Sequence, residues 1–267
     1  MMHYVAGKPR IERHIIDTYF YLRLGMGLLA LAFPLVLSLG GFFLDIPLQE
    51  SMSDYYHTGM RNIFVGVLFA IAFSLWRYKG FTKKEDRALD LAAFLAIGVA
   101  LFPTGADWSL GNSIDCSQKE MVALCSYLEQ RFKPYTNSIP HGICAILFFA
   151  SIAYVCWFRA GDTLYLMDQE RQRTYKAFYK AMGVWMVVAS AVAGALLMFL
   201  HVSLPGSKNY TVFVVELSAI WAFAFYWLGK TREMHQTNAD TCYTPPEMRS
   251  VPKATPADLI KPSWDKT

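Results

Sequence analysis

IPHGICAILFFASIAYVCWF, residues 139–158, runs for twenty positions without an Asp, Glu, Lys or Arg. About twenty apolar residues in a helix match the roughly 30 Å of a bilayer's hydrocarbon core. The run is continuously apolar, without the alternation of a membrane-barrel strand, so a helix is expected. A helix also satisfies its own backbone where no water is available.

Five further runs resemble it. Together the six predicted spans are about 24–44, 55–76, 87–103, 139–158, 179–201 and 211–229. The third is the shortest and takes its first turn from Glu85 and Asp86. Composition agrees: 54% of the 267 residues are hydrophobic, 15% aromatic and 17% charged, too apolar for a soluble domain of this length. The expected fold is all-α: a polytopic integral membrane protein with six transmembrane helices. Residues 1–23 form an N-terminal segment and 24–229 the helical domain, with a long connection at 104–138. Residues 230–267, polar and proline-rich, read as a disordered tail.

Lys and Arg set the orientation. Four lie before the first span, five in the second connection, five in the fourth and six after the sixth span. The first connection has none, the third has Lys119, Arg131 and Lys133, and the fifth only Lys208. Both termini are therefore expected in the cytoplasm. The net charge of +4 is a topology signal and does not point to nucleic acid. Cys116 and Cys125 fall in the connection placed outside, where a disulfide is compatible with an oxidising compartment; two unpaired thiols are the alternative. Cys144, Cys156 and Cys242 are expected as free thiols. No cleavable signal peptide is apparent, because the first apolar run is long enough to span and lacks a small-residue cleavage pattern.

This topology collects polar residues at the outer surface. Ser51-Met-Ser-Asp-Tyr-Tyr-His-Thr-Gly-Met-Arg61 opens the second span, with Ser53 or Asp54 as helix cap and His57 and Arg61 four apart on one face. Arg61 and Glu216 each lie roughly 8–9 Å below the outer ends of their spans, a depth at which an ionisable group needs a partner or a hydrated cavity. An Arg61–Glu216 pair is one expectation, either as part of a ligand site with Tyr56 or as a structural bridge. His57, His141 and His201 lie within a turn of the same interface. With Asp107 they make a candidate zinc shell, and Ser51 or Ser53 a candidate for polarising a substrate carbonyl. The plainer alternative is interfacial histidines bonded to loop carbonyls. Tyr55, Tyr56, Trp76, Trp108, Trp157, Tyr210 and Trp227 read as an aromatic belt. Gly183, Gly194, Ala191, Ala193 and Ala195 read as a close helix contact.

The segment Tyr55-Tyr-His-Thr-Gly-Met-Arg-Asn-Ile-Phe-Val-Gly66, with Ala100-Leu-Phe-Pro103 and Pro140-His141, resembles a family of mostly bacterial six-span membrane proteins classed under domains of unknown function. That resemblance implies the six-span architecture and a bacterial inner (plasma) membrane. A more distant likeness is to the transmembrane hydrolases that include alkaline ceramidases and progestin and adipoQ receptors. Their Ser, Asp and three His around zinc correspond in type to Ser53, Asp107, His57, His141 and His201. The chain departs from that group in having six spans instead of seven and no His-x-x-x-His in the last helix. Its histidines are also spread over three spans.

Two functional expectations follow. One is metal-assisted hydrolysis of a lipid-like ester or amide, with histidine ligands, Asp107 as ligand or base, and Arg61 neutralising an anionic headgroup. The other is a non-catalytic lipid or small-molecule sensor, a transporter or an accessory membrane subunit, with Tyr56, Arg61 and Glu216 binding the ligand.

Overall fold

The structure, a computed structural model, describes residues 8–102, 139–203 and 210–237, with side chains described except at 8–16, 194 and 197–203. Asp107, Cys116 and Cys125 lie outside the described residues, as does the side chain of His201.

Among the described residues there are six α-helices and no strand: α1 (Lys8–Phe43), α2 (Arg61–Arg77), α3 (Lys83–Leu101), α4 (Ile139–Phe158), α5 (Gln169–Ser203) and α6 (Thr211–Thr237). Short 3-10 turns lie at Ser53–His57 and Leu164–Leu166. Three helical stretches are long and apolar enough to cross a membrane: Asp17–Phe43 of α1, all of α4, and α6.

Each helix packs on its chain neighbours, and α6 closes against α1, so the bundle is a ring in sequence order. Successive helices run in opposite directions. One end gathers Tyr78, the α2–α3 and α4–α5 turns and the last turns of α6. The other gathers Gly41–Met60, Phe102, the start of α4 and the start of α6. We call the first the charge-rich end.

The helices outrun the apolar stretches. α1 begins at Lys8, α5 ten residues before Tyr179, and α6 continues from Gly229 to Thr237. Hydropathy marks where a helix becomes polar, which differs from where its hydrogen bonding stops. Residues 230–237 therefore belong to the helical core, and Lys230, Thr231, Glu233 and Met234 are buried there. The second predicted span needs a different correction. Its helix starts at Arg61, because Thr58 is extended (φ −115°, ψ 178°) and breaks the chain between the Ser53–His57 turn and α2. Neither Ser53 nor Asp54 caps α2. The Thr58 hydroxyl accepts the Met60 N–H (3.1 Å) and the Thr58 carbonyl that of Arg61 (3.1 Å). α3 takes in Glu85 and Asp86 as expected but starts earlier, at Lys83: Thr82 accepts from the Glu85 N–H (3.3 Å), while the Glu85 and Asp86 carboxylates take the Phe81 and Gly80 N–H groups.

The interior is aromatic and small-residue packing. Trp227 is fully buried against Tyr78, Tyr226 and Phe223. Tyr55 is fully buried too. Both therefore belong to the core and not to an aromatic belt, whereas Trp76, Trp157 and Tyr210 are exposed. The outward faces are apolar: Phe73 and Trp76 on α2, Leu91 and Phe94 on α3, and Trp185 and Val188 on α5 are exposed.

Gly183 is where α5 meets α4. A Cβ there would stand 3.0 Å from the Cys156 Cβ and 3.3 Å from the Ala153 carbonyl oxygen, a backbone atom that cannot rotate away. The expected small-residue contact is thus present at Gly183 and at buried Ala193, while Ala191 and Ala195 are exposed. Gly183→Val is expected to destabilise the bundle by about 1–3 kcal/mol through overpacking. Thermal unfolding in detergent checks it, with exposed Ala191→Val as the near-neutral control. Cys144 and Cys156 are free thiols.

Candidate functional site

The end of the bundle opposite the charge-rich one carries the residues singled out by sequence. The Ser53–His57 turn lies across it, fastened by Glu216 from the second turn of α6. The Glu216 carboxylate accepts the Ser51 hydroxyl (2.7 and 2.9 Å to its two oxygens) and the Met52 N–H (2.7 Å). The Phe213 N–H donates to the Glu50 carbonyl (2.9 Å), so the first turn of α6 is also tied to this segment. Ser53 is buried behind Ser51, their hydroxyl oxygens 2.6 Å apart, and Asp54 accepts the Ser51 N–H (3.1 Å). Glu216 is thus a fastener, held by donors that bring no positive charge.

Arg61 is elsewhere. As the first residue of α2 it is exposed, not a turn and a half deep. Its guanidinium lies 4.3 Å from the Tyr56 ring centroid and donates to the Tyr56 hydroxyl (2.6 Å). Among the described residues no carboxylate pairs with it. The expected Arg61–Glu216 pair does not form, because the break at Thr58 lifts Arg61 to the rim while Ser51 and Met52 saturate Glu216.

Arg61, Tyr56 and Asn62 border a cleft of about 350 Å³ between the start of α2 and the end of α3, with Val65, Gly66, Ala100 and Leu101 as its apolar lining. Gly66 matters here: a Cβ built on it meets nothing within 4 Å. The cleft therefore has one polar, cationic rim and an apolar interior.

His141 sits at the start of α4 behind the end of α3. Its Nδ1–H donates to the Phe102 carbonyl (2.8 Å), which fixes the ring and leaves Nε2 as the second nitrogen. His57 is exposed and edge-on to Tyr56 (centroids 5.3 Å apart). Among the described residues no three His, Cys, Asp or Glu side chains group as metal ligands would. Of the four expected donors, only His57 and His141 have described side chains. Asp107 and the His201 side chain lie outside the described residues.

Sequence reasoning missed a buried polar network at the charge-rich end. Lys230 Nζ pairs with Glu233 (2.7 Å) and donates to the Thr163 hydroxyl (2.7 Å) and the Ala160 carbonyl (3.0 Å). Glu233 also accepts from Thr163 and from the Tyr179 hydroxyl (2.8 Å). Nearby, buried Glu85 accepts from Phe81; burial pushes its carboxyl up, while the Lys230 charge and that hydrogen bond pull it back. The available signal was a Lys-x-x-Glu pair directly after the apolar run, with no proline before Pro245 to stop the helix.

Comparison of the chain with protein-family models, with characterised proteins and with solved structures finds no match.

Proposed function

We propose that the protein is a six-span integral membrane protein, both termini cytoplasmic, whose outward cleft binds the anionic headgroup of a lipid-like molecule without turning it over. Three helices have the length and apolarity to span. The exposed Phe, Leu, Trp and Val side chains of α2, α3 and α5 suit lipid on the remaining faces. The positive-inside count supports the orientation, and the resemblance of the Tyr55–Gly66 segment to bacterial six-span proteins supports a bacterial inner membrane.

One observation carries the binding reading: Arg61, held over the Tyr56 ring and hydrogen-bonded to its hydroxyl, without a described carboxylate partner, borders an apolar cleft. A planar guanidinium held in place by stacking is prepared for a carboxylate or phosphate. The open space over Gly66 suits the first methylenes of a chain. Titrating oleate into the protein in dodecyl maltoside tests this. Arg61→Gln is expected to weaken binding about tenfold, the worth of one charge-assisted hydrogen bond. Gly66→Leu is expected to weaken it by obstruction while leaving the unfolding midpoint unchanged or higher, since leucine is the better helix former. Unaltered oleate affinity in both variants sinks the reading.

A second reading rests on His141. A histidine whose Nδ1–H is anchored on a carbonyl presents Nε2 as metal ligands do. Zinc held by His57, His141, His201 and Asp107 would supply a water activated for hydrolysis of a lipid-like ester or amide. Ser53, buried beside Ser51, is less available to a substrate than that reading needs. Metal analysis of untagged protein decides it: about one zinc per chain, lost in His57→Ala/His141→Ala, favours the hydrolase, and no stoichiometric metal removes it.

A further inference from the structure

We infer that a second cleft, between α4 and α5 at the charge-rich end, holds the phosphate of an anionic phospholipid. It has a volume of about 360 Å³, and Trp157, Phe158, Asp162, Lys176, Tyr179 and Lys180 are among its lining. It is separate from the outer cleft, and the inference rests on the proposed orientation but not on Arg61.

Charge is the first argument. Lys176 and Lys180 are four apart on α5 and share a face. Among the described residues neither is paired with a carboxylate. The acid in the lining, Asp162, is engaged by Arg159 (3.3 Å). Two uncompensated ammonium groups therefore flank the cleft. Lys180 Nζ lies 5.1 Å from the Trp157 ring centroid, which packs its stem and holds its charge at the rim.

The wall behind them is already satisfied. The Tyr179 hydroxyl is committed to Glu233, and Glu233 to Lys230 and Thr163. No buried charge of that network is left to compete for an incoming anion.

The border separates a lipid from a soluble phosphate. Trp157 is 44% and Phe158 57% exposed beside the lysines. An amphiphile uses both the charges and this aromatic edge, whereas a free phosphate uses only the charges. Basic pockets between spanning helices on the cytoplasmic side, which the proposed orientation makes this end, suit anionic headgroups.

Native mass spectrometry of the intact protein released from dodecyl maltoside tests the site, in an Arg61→Gln background that weakens the outer cleft. Dioleoyl phosphatidylglycerol, dioleoyl phosphatidylcholine and inorganic phosphate are titrated separately. The expected result is a phosphatidylglycerol adduct whose affinity falls roughly thirtyfold in Lys176→Gln/Lys180→Gln, two surface lysines' worth of attraction, and recovers in Lys176→Arg/Lys180→Arg. An unchanged thermal midpoint in the glutamine variant shows that the loss is local. Equal phosphatidylglycerol affinity with and without the lysines overturns the site, as does equal binding of zwitterionic phosphatidylcholine. Lysine-dependent binding of inorganic phosphate that displaces phosphatidylglycerol overturns the lipid in favour of a soluble phosphate.

Discussion

Alanine at position 230 is expected to lower the unfolding free energy of the bundle by about 3–5 kcal/mol, the cost of leaving a buried charge without its partner. The Lys230 and Glu233 side chains are 3% and 0% exposed. Removing the ammonium leaves the Glu233 carboxylate with two hydroxyl donors and no positive charge, and it takes the Lys230 donor from the Ala160 carbonyl. The double variant Lys230→Met/Glu233→Leu is expected to lose less than Lys230→Ala alone. A buried pair replaced by apolar side chains of similar volume gives up its desolvation penalty along with its attraction. Unfolding by sodium dodecyl sulfate in mixed micelles measures both. A Lys230→Ala loss within about 1 kcal/mol of zero would mean that water reaches the pair and that the network is not a dry one.

Glu216→Ala is expected to cost about 2–3 kcal/mol, the range of hydrogen bonds to a charged group together with buried donors left unmade. Its larger effect is local. The carboxylate is the α6 side chain that grips Ser51 and Met52, so its loss frees the turn carrying Tyr56 and His57. Hydrogen exchange at the Met52 amide should accelerate by one to two orders of magnitude, and oleate binding should weaken because the Tyr56 platform under Arg61 is no longer held. Glu216→Gln keeps the shape and an acceptor, and should fall between. Arg61→Gln makes the useful contrast: it weakens binding with no change in exchange at Met52. If Met52 exchange is the same in Glu216→Ala as in the parent, the Phe213–Glu50 backbone bond alone suffices to hold the turn.

The two ends of the molecule differ in how much of them sequence could show. At the end opposite the charge-rich one the residue types were legible: Tyr56, His57, Arg61, His141 and Glu216 stood out as polar groups beside apolar runs. Their partners were not. Arg61 and Glu216 were matched by depth, and depth depends on where a helix begins. Thr58 moved that point by six residues, a break set by local backbone conformation and not by hydropathy. At the charge-rich end even the residues escaped notice, because Lys230 and Glu233 follow the apolar run and look like the start of a solvated tail.

What the sequence by itself determined is the helical character and number of the long elements. Continuous apolar runs of this length admit one backbone arrangement that needs no outside partner, and the start of α4 at Ile139 falls where its apolar run begins. Only the tertiary structure decided which helices touch, where α6 ends, and which charges are buried. Thr163, Tyr179, Lys230 and Glu233 come from three segments up to 70 residues apart. Their interaction depends on the ring closing, and no local pattern encodes that closure, since the free energy that brings those segments together is spread over every helix contact in the bundle.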